Sequence, residues 1–106
     1  LYGDLGDDSI YGNAGNDSLF GGSGSDDCFG GKGDDSIYGG SSNGDTADSG
    51  DDLYGGVGND DIYGNAGNDS IYGGSGSDDC FGGAGDDSIY GGSGVGDSTD
   101  SADTIY

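Results

Sequence analysis

Residues 21–38 read Gly21-Gly22-Ser23-Gly24-Ser25-Asp26-Asp27-Cys28-Phe29, then Gly30-Gly31-Lys32-Gly33-Asp34-Asp35-Ser36-Ile37-Tyr38. The second nonapeptide repeats the first place by place: glycine at positions 1, 2 and 4, Asp at 6, an apolar residue at 8 and an aromatic ring at 9. The pattern fills the chain. Its apolar position recurs at Leu1, Ile10, Leu19, Cys28, Ile37, Leu53, Ile62, Ile71, Cys80, Ile89 and Ile105. The segment around it is too short for a helix and is flanked by β-prone residues, so it reads as a three-residue strand. Alternation turns position 8 inward and positions 7 and 9 outward. Six glycine-rich residues then reverse the chain, and position 1 is glycine in every turn, as suits a backbone that a Cβ would obstruct. Two nonapeptides make one coil. Residues eighteen apart therefore stack at about 4.8 Å in two parallel sheets, and the expected fold is all-β, a right-handed parallel β-roll, or β-solenoid, with short strands.

The spacing is nine residues except from Ile37 to Leu53 and from Ile89 to Ile105, where it is sixteen. Each exception is an insertion of seven, placed at 43–49 and 95–101, within the glycine-rich turn. A longer period lies above the short one, because residues 1–52 align with residues 53–104 without a gap, Cys28 falling on Cys80. The expected organisation is one continuous solenoid made of two 52-residue units, with 105–106 beginning a third. Neither end shows the polar cap usual for solenoids, so a longer array is expected.

The composition is far from that of an ordinary domain: 29 Gly, 22 acidic residues that are all Asp, one Lys, no Pro, no His and a net charge of −21. Low hydrophobicity with high charge normally means disorder, and so few apolar side chains cannot offset the conformational entropy of a glycine-rich backbone. A further stabiliser is needed. The charge repels nucleic-acid phosphates and anionic lipid, which argues against both as partners. No apolar run is long enough to cross a bilayer as a helix. Cations are the natural ligands.

Position 6 is Asp in all ten turns: Asp8, Asp17, Asp26, Asp35, Asp51, Asp60, Asp69, Asp78, Asp87 and Asp103. Carboxylate and carbonyl oxygens are hard ligands, and a chain without His or Glu offers little to select zinc or copper, so Ca²⁺ is the expected ion. Coiling brings each Asp beside the turn eighteen residues along, where glycine carbonyls can approach an ion. The remaining Asp residues read mainly as solvated, with some able to add a ligand, and Asp45, Asp48, Asp97 and Asp100 in the insertions could either close an extra ion site or keep the loops soluble, the second being favoured.

The whole chain resembles the RTX calcium-binding repeats, whose nonapeptide is G-G-x-G-x-D-x-U-x with U a large apolar residue. The departures are the two insertions and Asp4, Asn13 and Asn65 at the second position. The resemblance implies calcium ions along both edges of the roll between successive turns, held by the ten Asp residues and backbone carbonyls. It further implies secretion to an extracellular or cell-surface location, with folding triggered by the calcium found there.

Position 9 is aromatic throughout, as Tyr2, Tyr11, Phe20, Phe29, Tyr38, Tyr54, Tyr63, Tyr72, Phe81, Tyr90 and Tyr106. Each sheet should carry an outward ladder of rings, fit for packing on one another, on another copy of a fibre or on a carbohydrate. Cys28 and Cys80 sit at inward positions five half-coils apart, on opposite sheets and too distant for a disulfide. Asn16-Asp17-Ser18 and Asn68-Asp69-Ser70 match a glycosylation pattern but read better as turn residues beside a ligand. No nucleophile recurs with a base beside it, so an enzyme is not expected. The leading expectation is a calcium-stiffened structural module of a long surface fibre or adhesin stalk. The alternative is the calcium-triggered folding and secretion block of a secreted toxin or enzyme. A carbohydrate- or ice-binding surface comes third.

Overall fold

The computed structural model describes residues 1–40 and 49–92, and the backbone of residues 104 and 105. Among the described residues, the alternation of apolar centres and glycine turns folds as eleven parallel strands: β1 (Tyr2–Leu5), β2 (Ser9–Ala14), β3 (Ser18–Ser23), β4 (Asp27–Lys32), β5 (Ser36–Gly40), β6 (Asp52–Val57), β7 (Asp61–Ala66), β8 (Ser70–Ser75), β9 (Asp79–Ala84), β10 (Ser88–Gly92) and β11 (Thr104–Ile105). Odd strands form one sheet in the order β1-β3-β5-β7-β9-β11, and even strands the other, β10-β8-β6-β4-β2. The chain therefore winds as a β-solenoid, changing sheet at every glycine turn.

Leu19 lies beside Ile37 and Leu53 beside Ile71, eighteen residues apart. Cys28 lies beside Leu53 and Ile37 beside Ile62, twenty-five apart. Each sixteen-residue interval thus crosses as one long half-coil, and the register survives it. Ser49, expected as the last residue of the first insertion, instead occupies the fourth turn position, its carbonyl facing Gly67 as that of Gly6 faces Gly24. The extra residues there lie between Gly40 and Ser49. The rest of that insertion, the second insertion at 95–101 and Asp103 lie outside the described residues.

Most strands run to six residues rather than the expected three. The reason is that coils stack in register past the aromatic residue. Gly22 pairs with Gly40, and Gly31 with Gly56, so the ladder continues through the first two turn positions. At the second of them the backbone is left-handed, with φ 117° at Gly22, and a Cβ there would meet the Asp4 carbonyl of the coil before. Asp4, Asn13 and Asn65 adopt the same conformation at φ 77–80°. Asx residues tolerate it best after glycine. Asn65 also turns the close approach to use, its Nδ2 donating to the Gly40 carbonyl at 2.9 Å.

The core is one apolar side chain per half-coil, Ile10, Leu19, Cys28, Ile37, Leu53, Ile62, Ile71 and Cys80, with Ile89 packed partly against it. Cys28 and Cys80 are buried, unbridged, and on opposite sheets, in β4 and β9. Burial, with Asp26 and Asp51 next in effect, pushes the Cys28 thiol up to about 12, which leaves it a packing group rather than a nucleophile. Outside, the rings stack into two ladders, Tyr2-Phe20-Tyr38-Tyr63-Phe81 and Tyr11-Phe29-Tyr54-Tyr72-Tyr90. Neighbouring centroids are 4.8–5.0 Å apart and the planes within 8° of parallel.

Candidate metal centre

Positions 6 and 8 are two residues apart, so the strand that drives its apolar residue inward drives the preceding Asp inward as well. Asp26, Asp35, Asp51, Asp60, Asp69 and Asp78 are no more than 2% exposed, while Asp8, Asp17 and Asp87 are half-buried. The structure brings these nine together in two rows, one along each edge of the roll. In the first, the amide of Asp8 donates to Asp26 Oδ1 at 2.9 Å, Asp26 to Asp51 at 2.9 Å, Asp51 to Asp69 at 3.0 Å and Asp69 to Asp87 at 3.0 Å. In the second, Asp17 donates to Asp35, Asp35 to Asp60 and Asp60 to Asp78, each at 2.9 Å.

One oxygen of each carboxylate after the first in its row, Asp8 and Asp17, is thereby fixed by the coil before it. The other is not so served: Oδ2 of Asp8, Asp17, Asp26, Asp35 and Asp60 is buried and accepts no hydrogen bond. A buried anionic oxygen left this way is costly unless a cation meets it. Next to each stands an oxygen of the following coil. A Cβ on Gly21 would lie 2.5 Å from both Asp26 Oδ2 and the Gly39 carbonyl oxygen. On Gly12 it would lie 2.9 Å from Asp17 Oδ2 and 2.5 Å from the Gly30 carbonyl, and on Gly3 2.7 Å from Asp8 Oδ2 and 2.5 Å from the Gly21 carbonyl. Glycine at the first turn position thus keeps open a cradle where carboxylate and carbonyl oxygens converge. Among the described residues, no three acidic, Cys or His side chains cluster, so carbonyls must supply most of any coordination shell. An all-oxygen set of that kind can hold a hard cation such as Ca²⁺ and suits softer metals poorly.

Electrostatics agree with that need. Burial raises the carboxyls of Asp26 and Asp35, opposed in part by the amides of Asp8 and Asp17. It raises Asp60 to about 7, the amide of Asp35 opposing and the charges of Asp78 and Asp35 adding to the rise. A carboxyl held above its unfolded value favours the ion-free fold at low pH and opposes it as the pH climbs through the folded value. A cation at Asp60 must displace this proton. The calcium midpoint read by circular dichroism is therefore expected to rise as the pH falls from about 8 to about 6. A midpoint constant over that range would place Asp60 beyond the ion's reach.

A second row was not anticipated from the sequence. Oδ1 of Asp7, Asn16, Asp34, Asn59 and Asn68, at position 5, accepts the amide of the position-5 residue in the next coil, Ser25, Asp34, Asn59, Ser77 and Asp86 respectively, at 2.9–3.0 Å. These bonds run in the sense opposite to those of position 6. The signal was available: position 5 holds Asp, Asn or Ser in eight of the nine described turns, Gly50 being the exception. Asn16 and Asn68, which open the two glycosylation patterns, belong to this row. Asp27, Asp52, Asp61 and Asp79 are exposed on the sheet faces, and Asp4 is exposed as well.

A parallel β-solenoid whose turns aim a carboxylate inward at each half-coil and keep an oxygen-lined cradle beside it has the form of a cation-binding repeat. The model of the RTX calcium-binding nonapeptide repeat matches in four copies, at residues 1–28, 29–43, 45–80 and 77–95, and the chain belongs to that family. No curated protein and no solved structure matches it.

Proposed function

We propose that Asp8, Asp17, Asp26, Asp35, Asp51, Asp60, Asp69, Asp78, Asp87 and Asp103 are the calcium ligands of this structural repeat, and that the repeat serves as a rod that folds and stiffens on reaching extracellular calcium within a longer surface fibre or stalk. The observation that carries this reading is the buried Oδ2 without a hydrogen bond, repeated from coil to coil beside a carbonyl of the next. On this reading the fold is conditional on cations along both edges of the roll, and roughly ten divalent ions would nearly cancel the net charge of −21. The 52-residue units, 1–52 and 53–104, supply the repeat from which such a rod is extended. The stacked rings turn their faces to one another, which leaves edges and hydroxyls for lateral contact between rods and little free face for a sugar. The same conditional folding would equally suit a secretion block.

The test is light scattering with electron microscopy on this chain and on a longer tandem array, with and without about 5 mM Ca²⁺, well above the affinity of weak extracellular sites. Calcium-dependent filaments or bundles are expected. Folded rods that stay strictly monomeric would remove the fibre reading and shift attention to the secretion block.

A further inference from the structure

The ladders are not uniform: tyrosine adjoins tyrosine in three places only among the described residues. Tyr54 stacks on Tyr72 at 4.8 Å with planes 3° apart, Tyr72 on Tyr90 at 5.0 Å and 8°, and Tyr38 on Tyr63 at 5.0 Å and 6°. Elsewhere a phenylalanine intervenes. Each tyrosine pair is also a register pair of its sheet, so equivalent ring atoms lie one strand spacing apart and the hydroxyls point the same way. The outer rings reach solvent, Tyr72 being 38% and Tyr90 56% exposed.

From this placement we propose that Tyr54, Tyr72 and Tyr90 on one face, and Tyr38 and Tyr63 on the other, form a covalent modification site, at which one-electron oxidation joins stacked tyrosines into dityrosine staples between successive coils. The oxidant is peroxide acting through a haem peroxidase. Each phenol gives up its hydroxyl hydrogen, as an electron and a proton, to leave a tyrosyl radical. The two radicals combine by a new bond between ring carbons ortho to the oxygens. The hydrogens on those two carbons then pass as protons to the oxygens, restoring both hydroxyls. In sum, two phenols lose two hydrogens while one hydrogen peroxide becomes two waters.

Geometry favours coupling within the roll over coupling between molecules. Partner radicals are held side by side at a spacing set by the backbone, whereas separate chains in dilute solution must first meet. Closing a spacing of 4.8 Å to a carbon–carbon bond of about 1.5 Å requires that the two ring ends lean together and, as their aromaticity is restored, turn about their side-chain bonds to bring the new bond into the plane of each ring. Where phenylalanine separates two tyrosines, the next phenol is two strand spacings away and no staple forms. A stapled pair would keep its coils together after the ion between them is lost.

The experiment treats the 106-residue chain, dilute and shown by circular dichroism to be folded in calcium, with horseradish peroxidase and hydrogen peroxide. Dityrosine fluorescence is read in the monomer fraction, and crosslinked peptides are identified by mass spectrometry as pairs two hydrogens lighter than their sum. Links 54–72 or 72–90, and 38–63, are expected. Y72F should roughly halve the monomer signal, and Y63F/Y72F together should nearly abolish it, with the ring stack kept by phenylalanine and the fold checked in the same samples. The same chain in urea should lose these specific links. Equal yields from folded and urea-unfolded chains, crosslinks only between molecules, or a Y63F/Y72F signal matching the wild type would each overturn the proposal.

Discussion

Removing calcium with a chelator at neutral pH is expected to abolish the sheet, changing the far-ultraviolet circular dichroism from β to coil and expanding the chain in small-angle scattering. The size of the effect follows from the nine inward carboxylates. Six of them are no more than 2% exposed, and the one lysine is exposed at the roll surface. An uncompensated buried charge costs several kcal/mol even after relaxation, while the net stability of a whole domain is only about 5–15 kcal/mol. A few such groups suffice to unfold the chain. Protonation relieves the cost as an ion does, so acid should restore part of the β signal in the chelated protein, in line with the raised carboxyls of Asp26, Asp35 and Asp60. If the chelated chain kept its full β spectrum at pH 7, the cradle would not be a cation site at all.

Gly21→Ala is expected to do damage out of proportion to one methyl group. The added carbon would lie 2.5 Å from Asp26 Oδ2 and 2.5 Å from the Gly39 carbonyl, closer than real contacts allow, so one of the two oxygens must leave the cradle. The site between those coils is lost. Its neighbours weaken too, because Asp26 Oδ1 and its own amide bind the coils on either side. Asp26→Ala empties the same cradle from the other side and should reach the same end. The informative control is Gly15→Ala. That glycine has φ 117° but nothing near its missing Cβ, so only the left-handed strain of about 1–2 kcal/mol is at stake. Calcium titrations of the three variants, followed by calorimetry for the number of ions bound, separate the cases. Gly21→Ala should bind at least one ion fewer and Gly15→Ala the full number. Equal stoichiometry in the two would disconnect position 1 from the metal.

Much of this was legible in the residues. Spacing alone gave the winding, the pairing of Leu19 with Ile37 and the crossing of each sixteen-residue interval as one half-coil, because a period-nine pattern with one apolar place admits few ways to bury it. The separation of Cys28 from Cys80 followed from the same count. Less accessible was the depth of the Asp side chains. Their place two residues before the apolar position already put them on its side of the strand, yet a carboxylate is ordinarily assumed to face water, and only stacked coils show amides waiting for it. Strand length escaped for a related reason. Glycine is a poor strand former by propensity, and its continuation of the ladder at Gly22 and Gly31 depends on an identical coil lying beside it. The position-5 row was hidden by its mixture of Asp, Asn and Ser, which looks like turn composition until the shared acceptor oxygen is seen.

The two rows of hydrogen bonds also bear on what happens when the rod is pulled. Position 6 hands each amide forward to the following coil, while position 5 hands its amide back to the preceding one, and both rows lie at the glycine edges where the chain leaves one sheet for the other. Tension applied to the two chain ends does not shear these bonds together. It peels the last coil from its neighbour, breaking a position-6 bond per half-coil, and a position-5 bond wherever Asp or Asn supplies the acceptor, and opening the cradle as it goes. Each regular coil so released pays out eighteen residues, about 60 Å of extended chain, and a coil that carries the long interval pays out twenty-five. With ions held in the cradles, as proposed above, such a rod is expected to yield stepwise from its ends, at a force that rises with the surrounding calcium.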